Sequence, residues 1–85
     1  MQEDDDVATA YVLINCDLGA EGSVISQLKS LDNVKEVHGT FGAYDVLAKL
    51  SSEKTENIRE TITWKIRKIN QIRSTLTLMG IEGQE

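Results

Sequence analysis

The stretch GTFGAYDVLAKL, Gly39 to Leu50, places two glycines and a Tyr44-Asp45 pair between two runs of strand-forming residues. Gly42 admits backbone dihedrals closed to other residues and lets another molecule come close to the main chain. The plainer reading is a hairpin, in which Gly42 makes the turn, Asp45 caps it, and Thr75 and Thr77 are good strand formers. Cys16 and His38 also carry chemistry, and each is the only residue of its type. A single cysteine forms no internal disulfide, which fits a reducing compartment. At the end of a strand-like run, Cys16 reads first as a buried structural thiol. Without a second Cys or His, a zinc site of the usual spacing is excluded within one chain. A Cys16–His38 catalytic dyad remains open in space. The run QEDDD, residues 2–6, has no metal-ligand spacing and reads as a solvated tail.

The elements that position these residues follow from hydrophobic period. In VATAYVLINC, Val7 to Cys16, the residues Ala8, Ala10, Val12 and Ile14 form one apolar face, and Tyr11 and Leu13 make the other largely apolar. A strand apolar on both faces is expected to be buried on both. From Ala20 to Leu31 the period changes: Val24, Ile25, Leu28 and Leu31 mark one face of a helix. Asp17 and Gly19 punctuate its start, and Asn33 is expected as a left-handed stop. VKEVHGTF and YDVLAKL return to strand composition. A second helix, Lys54 to Lys68, takes its cap from Ser52 or Thr55 and its stripe from Ile58, Ile62, Ile66 and Ile69. Trp64 lies off that stripe, either against a neighbouring subunit or along the helix surface. In QIRSTLTLM, Ile72, Leu76 and Leu78 alternate with Arg73, Thr75, Thr77 and Met79.

The order β-α-β-β-α-β implies an α+β, ferredoxin-like fold with a four-stranded antiparallel sheet and both helices on one face. The other face is left bare. Tyr11, Leu13, Leu47 and Met79 are expected on it, beside Asp45, Lys49, Thr75 and Thr77. Such a patch is a candidate association surface, implying a face-to-face dimer of the dimeric α+β-barrel kind.

With 85 residues, the chain is one domain whose core is marginal alone. An acidic disordered tail, 1–6, precedes the domain, 7–79, and a short C-terminal tail, 80–85, follows it. An apolar fraction of 40% and a charged fraction of 27% suit an ordinary soluble globule. No apolar run approaches the roughly 20 residues that span a bilayer, and the N-terminus lacks a basic signal-peptide start. A cytoplasmic protein with no membrane partner is expected. The net charge of −5 argues against direct nucleic-acid binding. The basic cluster KIRK, Lys65 to Lys68, more simply complements a helix C-terminus.

From about Val7 to Met79 this pattern resembles the ligand-binding half of the Lrp/AsnC feast/famine regulators, the RAM domain for regulation of amino-acid metabolism. Its most specific parts are Gly42-Ala43-Tyr44-Asp45 and Thr75-x-Thr77, in this order and spacing. The resemblance implies a sheet-to-sheet dimer, assembled further into octamers or decamers, with an amino-acid effector bound between neighbouring dimers near the glycine-containing turn. On that resemblance Thr40, Phe41, Gly42, Ala43, Tyr44, Asp45, Thr75 and Thr77 form the effector site, with no cofactor. Turn amides and threonine hydroxyls would serve the effector's carboxylate, and Asp45 its ammonium or the order of the turn. Full regulators carry a helix-turn-helix of roughly 50–60 residues before this module, and none fits before Val7. A stand-alone module that modulates full-length regulators by mixed assembly is therefore expected. Two departures bear on effector identity: Phe41 separates Thr40 from Gly42, and Asn70-Gln71 replace a frequent Pro-Gly. The rival readings are a small dimeric α+β-barrel monooxygenase or isomerase using His38, Tyr11 or Asp45, and a ligand-free assembly scaffold.

Overall fold

The computed structural model describes residues 7–80; the expected tails at 1–6 and 81–85 lie outside these. β1 (Ala8–Cys16), α1 (Glu21–Lys29), β2 (Val34–Gly39), β3 (Val46–Ser52), α2 (Thr55–Glu60) and β4 (Ile72–Met79) follow in chain order. The strands form one antiparallel sheet in the order β2-β3-β1-β4, the ferredoxin-like arrangement. Alternation along β1 and β3 puts Ala10, Val12, Ile14, Val46, Ala48 and Leu50 on one face, all fully buried. Val24 and Leu28 of α1 and Ile58, Ile62 and Ile66 of the second helix close over that face. Burial of these branched side chains, each contributing roughly 1.5–3 kcal/mol, holds the two layers together.

The second helix departs from the expected single α-helix over Lys54 to Lys68. α2 runs directly into a π-helical turn, Thr61–Ile66, with Arg67 N–H donating to Ile62 C=O at 3.0 Å. Buried Thr61 explains part of this. Its hydroxyl donates to Asn57 C=O at 2.9 Å and accepts from Asn33 Nδ2 at 3.0 Å, so it competes for a carbonyl of the helical ladder. The isoleucine spacing explains the rest. Steps of four drift about 40° around a 3.6-residue turn, and a wider turn keeps Ile58, Ile62 and Ile66 in line. Asn33, expected as a left-handed stop, has no positive φ and serves instead as this cross-layer donor. Neither Ser52 nor Thr55 caps α2 as expected: Lys54 occupies the cap position without a side-chain bond, and Ser52 Oγ accepts from Asn57 Nδ2 at 2.9 Å.

The largest correction concerns β4. Tyr11 lies opposite Leu78 and Leu13 opposite Leu76, while Ala10, Val12 and Ile14 lie opposite Met79, Thr77 and Thr75. Residues opposite one another share a face. Leu76 and Leu78 are therefore on the open face, and Thr75, Thr77 and Met79 on the helix side, the reverse of the expected assignment. The cause is a one-residue register shift: Asn15 pairs with Ser74 but Cys16 with Ile72, leaving Arg73 as the extra residue. A bulge inverts the alternation beyond it. Ile72 thus packs against the core while Leu76, four residues on, is 45% exposed. The other edge strand, β2, has the same device at Lys35, between Val34–Leu50 and Glu36–Lys49. A bulge and a basic residue on each edge blunt the sheet against edge-to-edge pairing.

Candidate functional site

The hairpin between β2 and β3 is fixed at its base by four hydrogen bonds. Thr40 N–H donates to Asp45 C=O at 2.9 Å, and the Thr40 hydroxyl donates to Tyr44 C=O at 2.6 Å. Asp45 N–H donates to Ile14 C=O at 2.9 Å, and Cys16 N–H donates to Asp45 Oδ2 at 3.0 Å. The Asp45 carboxylate thus stands where a strand carbonyl would accept, tying the hairpin to the end of β1. Above this base Gly42 has φ +119° and open space around its Cα. Conformation, not crowding, calls for glycine there. Among the described residues, nothing accepts from the N–H groups of Phe41, Gly42, Ala43 and Tyr44. These four amides, three of them on the exposed residues Phe41, Gly42 and Ala43 and one on half-buried Tyr44, form the tip with one carboxylate oxygen and the fully exposed Phe41 side chain.

Beside the hairpin runs the loop from β1 to α1. Asp17 N–H donates to Gln71 C=O at 2.8 Å and Ala20 N–H to Asp17 C=O at 3.0 Å; Gly19 takes φ +83°. Cys16 is buried at this end, as expected for a structural thiol. Burial pushes its thiol above the ordinary range, and the nearby carboxylates of Asp45, Glu21 and Asp17 push it further. A thiol held protonated is a poor nucleophile. Cys16 faces the helices, while His38, opposite Leu47 on edge strand β2, faces the open side and meets Glu36 at 3.2 Å. The sheet itself separates the two, so no dyad forms.

Thr40, Tyr44 and Asp45 are brought together as expected. Thr75 and Thr77 are not. Thr75 shares a row with Ile14 and Val46, two strand spacings, or about 10 Å, from β3, and Thr77 lies one pleat further in. Sequence reasoning missed the Cys16 N–H as the partner of Asp45, and Leu18, which is 99% exposed in the adjacent loop. The sequence marks that loop through Asp17 and Gly19, the latter taking a positive φ.

The open face carries Tyr11, Leu13, Leu47, Leu76 and Leu78. Tyr11, Leu76 and Leu78 are 39%, 45% and 52% exposed; within one chain β1 is therefore buried on one face only. Lys49 and Glu36 extend the Tyr11–Leu78 row, their charges 3.9 Å apart. A shallow depression of about 480 Å³ between the end of α1 and β2, lined by Lys29, Val34 and Val37 among others, shares no residue with the hairpin.

A ferredoxin-like sheet with one apolar face open serves many functions in different proteins; in this chain it carries the sequence pattern of a ligand-binding module of transcription regulators. The chain belongs to the Lrp/AsnC ligand-binding domain family, whose pattern matches residues 9–82. It is 30% identical over 75 residues to an uncharacterised HTH-type transcriptional regulator of Pyrococcus furiosus, covering 85% of this chain and 50% of that one. It is 32% identical over 61 residues to the regulatory protein AsnC of Escherichia coli, covering 72% and 40%. The chain thus spans half or less of these relatives. Among solved structures, a protein of Pyrococcus horikoshii superposes with a TM-score of 0.83 at 32% identity, covering 87% of this chain and 89% of its own. E. coli AsnC superposes at 0.82 and 27%, covering 94% and 54%. A Neisseria meningitidis transcriptional regulator solved with L-Met shares the fold, at 0.79 and 8% identity. The family is one of regulators, not enzymes, which sets the monooxygenase and isomerase readings aside.

Proposed function

We propose that this chain is an effector-binding and oligomerising module that senses an amino acid in the cytoplasm. Two copies pair through their open faces, with Tyr11, Leu13 and Leu47 joined by Leu76 and Leu78 in the place first given to Met79. Such dimers assemble further into octamers or decamers, and the same face admits longer Lrp/AsnC regulators into mixed assemblies. The effector's carboxylate meets the amides between Phe41 and Tyr44, and its ammonium meets the free oxygen of Asp45. The observation that carries this reading is the hairpin: four hydrogen bonds hold its base while, among the described residues, its four tip amides have no acceptor. Thr75 and Thr77, on the helix side of β4, supply hydroxyls to such a site only from a neighbouring subunit.

A thermal-shift screen against the twenty amino acids at fixed protein concentration tests the reading. An effector at 100 times its Kd adds about 2.7 kcal/mol, a rise on the order of 10 °C for a domain of this size. Asp45→Ala is expected to weaken the response at least tenfold while the dimer, followed by sedimentation, persists. No rise with any amino acid overturns the sensor role and leaves an assembly scaffold.

A further inference from the structure

Phe41 is fully exposed, at 105% of its reference area. It adds no packing to its own chain, and an aromatic ring contributes only when something covers it. Its neighbour Thr40 is held, since the hairpin base is bonded at Thr40 and Asp45. A ring presented next to a held residue leaves mainly its own rotamer freedom to be lost when a ligand arrives. Phe41 is adjacent to Gly42, at the start of the run of unpartnered amides. A molecule whose carboxylate is held by those amides lies within reach of the ring. Leu18, equally exposed, projects from the loop two residues past Cys16, the residue to which Asp45 is tied. Two large apolar side chains therefore flank the same end of β1.

At this end carboxylates outnumber cations: the bulge facing Asn15 and Cys16 carries one guanidinium, Arg73, against three acidic side chains. Asp17, Glu21 and Asp45 all lie close enough to act on the Cys16 thiol. Among the described residues, none of the three is in an ion pair. A ligand bringing a second carboxylate would meet this field unfavourably, whereas an apolar side chain would cover Phe41 at no electrostatic cost.

We propose that Phe41 is the specificity-determining residue of the effector site, and that it selects amino acids with a neutral apolar side chain over acidic ones. This inference rests on the effector-binding reading above. The test compares the chain with its Phe41→Ser and Phe41→Leu variants. Melting is followed with leucine, methionine or phenylalanine and with aspartate, glutamate or glycine, and sedimentation without ligand. The expected result is a rise with the apolar amino acids only, cut by more than half in Phe41→Ser and largely kept in Phe41→Leu, with sedimentation unchanged. An equal response to aspartate or glutamate overturns the inference while leaving the sensor role standing, as does an undiminished apolar response in Phe41→Ser. A change in sedimentation of Phe41→Ser without ligand also overturns it, marking Phe41 as a subunit contact. No response of the unmodified chain to any amino acid defeats the sensor role and the inference together.

Discussion

The two faces of the sheet are built from the same four strands, yet they end in opposite states. On the helix side, the central residues of β1 and β3 are sealed by isoleucines, a valine and a leucine from the helices. On the other, Tyr11, Leu76 and Leu78 meet water; Glu36, His38 and Lys49 dilute the apolar surface, and Thr9, Ser51, Asn15 and Ser74 lie at its ends. Period two alone separates a surface that stabilises one chain from a surface suited to a second. Substitutions on the first face act on the stability of the single chain. Substitutions on the second act through association, so their effects depend on protein concentration.

The largest effect is expected at Ile14, fully buried beside Val46 in the sheet. Ile14→Ala removes packing worth about 2–5 kcal/mol. The melting temperature falls by more than about 10 °C, and the loss persists on dilution. A fall seen only at high dilution would blur the distinction between the faces.

A sharper test exploits neighbours on β4. Leu78 faces the open side and Met79 the helix side. Leu78→Asp places a carboxylate in the proposed interface, where desolvating it is costly, so the dimer dissociation constant rises at least tenfold by sedimentation equilibrium. Met79→Asp leaves that constant within about twofold. The reverse outcome would place Met79 at the interface and remove the register shift at Arg73 from the account.

That register shift also marks how far the sequence was legible. Element order, the antiparallel sheet, the core stripes and the glycine hairpin all follow from periodicity, because most of those residues meet one environment throughout an element. β4 does not, since one extra residue at Arg73 inverts everything after it, and no residue type announces a bulge at a non-glycine position. The π turn was hidden similarly. The steps of four from Ile58 to Ile66 are also tolerated by an α-helix, and the contact that acts with them, Asn33 to Thr61, joins residues 28 apart in sequence. At the site, Gly42 and Asp45 were visible as types. That Asp45 is anchored to the Cys16 N–H depends on tertiary placement, as does the distance separating Thr75 from the hairpin.

A smaller effect is expected from pH, and it belongs to the covered face alone. The folded Cys16 thiol titrates above its ordinary value. Below about pH 8.5 both folded and unfolded thiols are protonated, and the contribution is fully present. As pH rises further, the unfolded thiol ionises first, so stability falls until the folded thiol ionises as well. The urea midpoint therefore declines more steeply between pH 8 and 10 than in Cys16→Ala, whose lower stability is offset by a constant amount. Parallel pH profiles for the two proteins would mean that Cys16 titrates alike in both states.

The smallest effect is expected at Trp64, the large aromatic on the outer surface of the helix layer. It is 61% exposed, which invites the same interpretation as the open face, that another subunit covers it. Its surroundings differ from those of Tyr11 or Leu78. The Lys68 ammonium lies 5.5 Å from the ring centroid, one helical turn along. The ring thus has a partner in its own chain, in a contact worth about 0.5–1 kcal/mol at an exposed site. The open face offers its leucines no such partner. Trp64→Ala is therefore expected to lower stability by less than about 1 kcal/mol and to leave sedimentation unchanged. Tryptophan emission of the unmodified chain stays at the wavelength of a hydrated indole as protein concentration rises through the dimer range. A blue shift on association, or a weakened dimer in Trp64→Ala, would make the helix layer a second interface and end the division of labour between the faces.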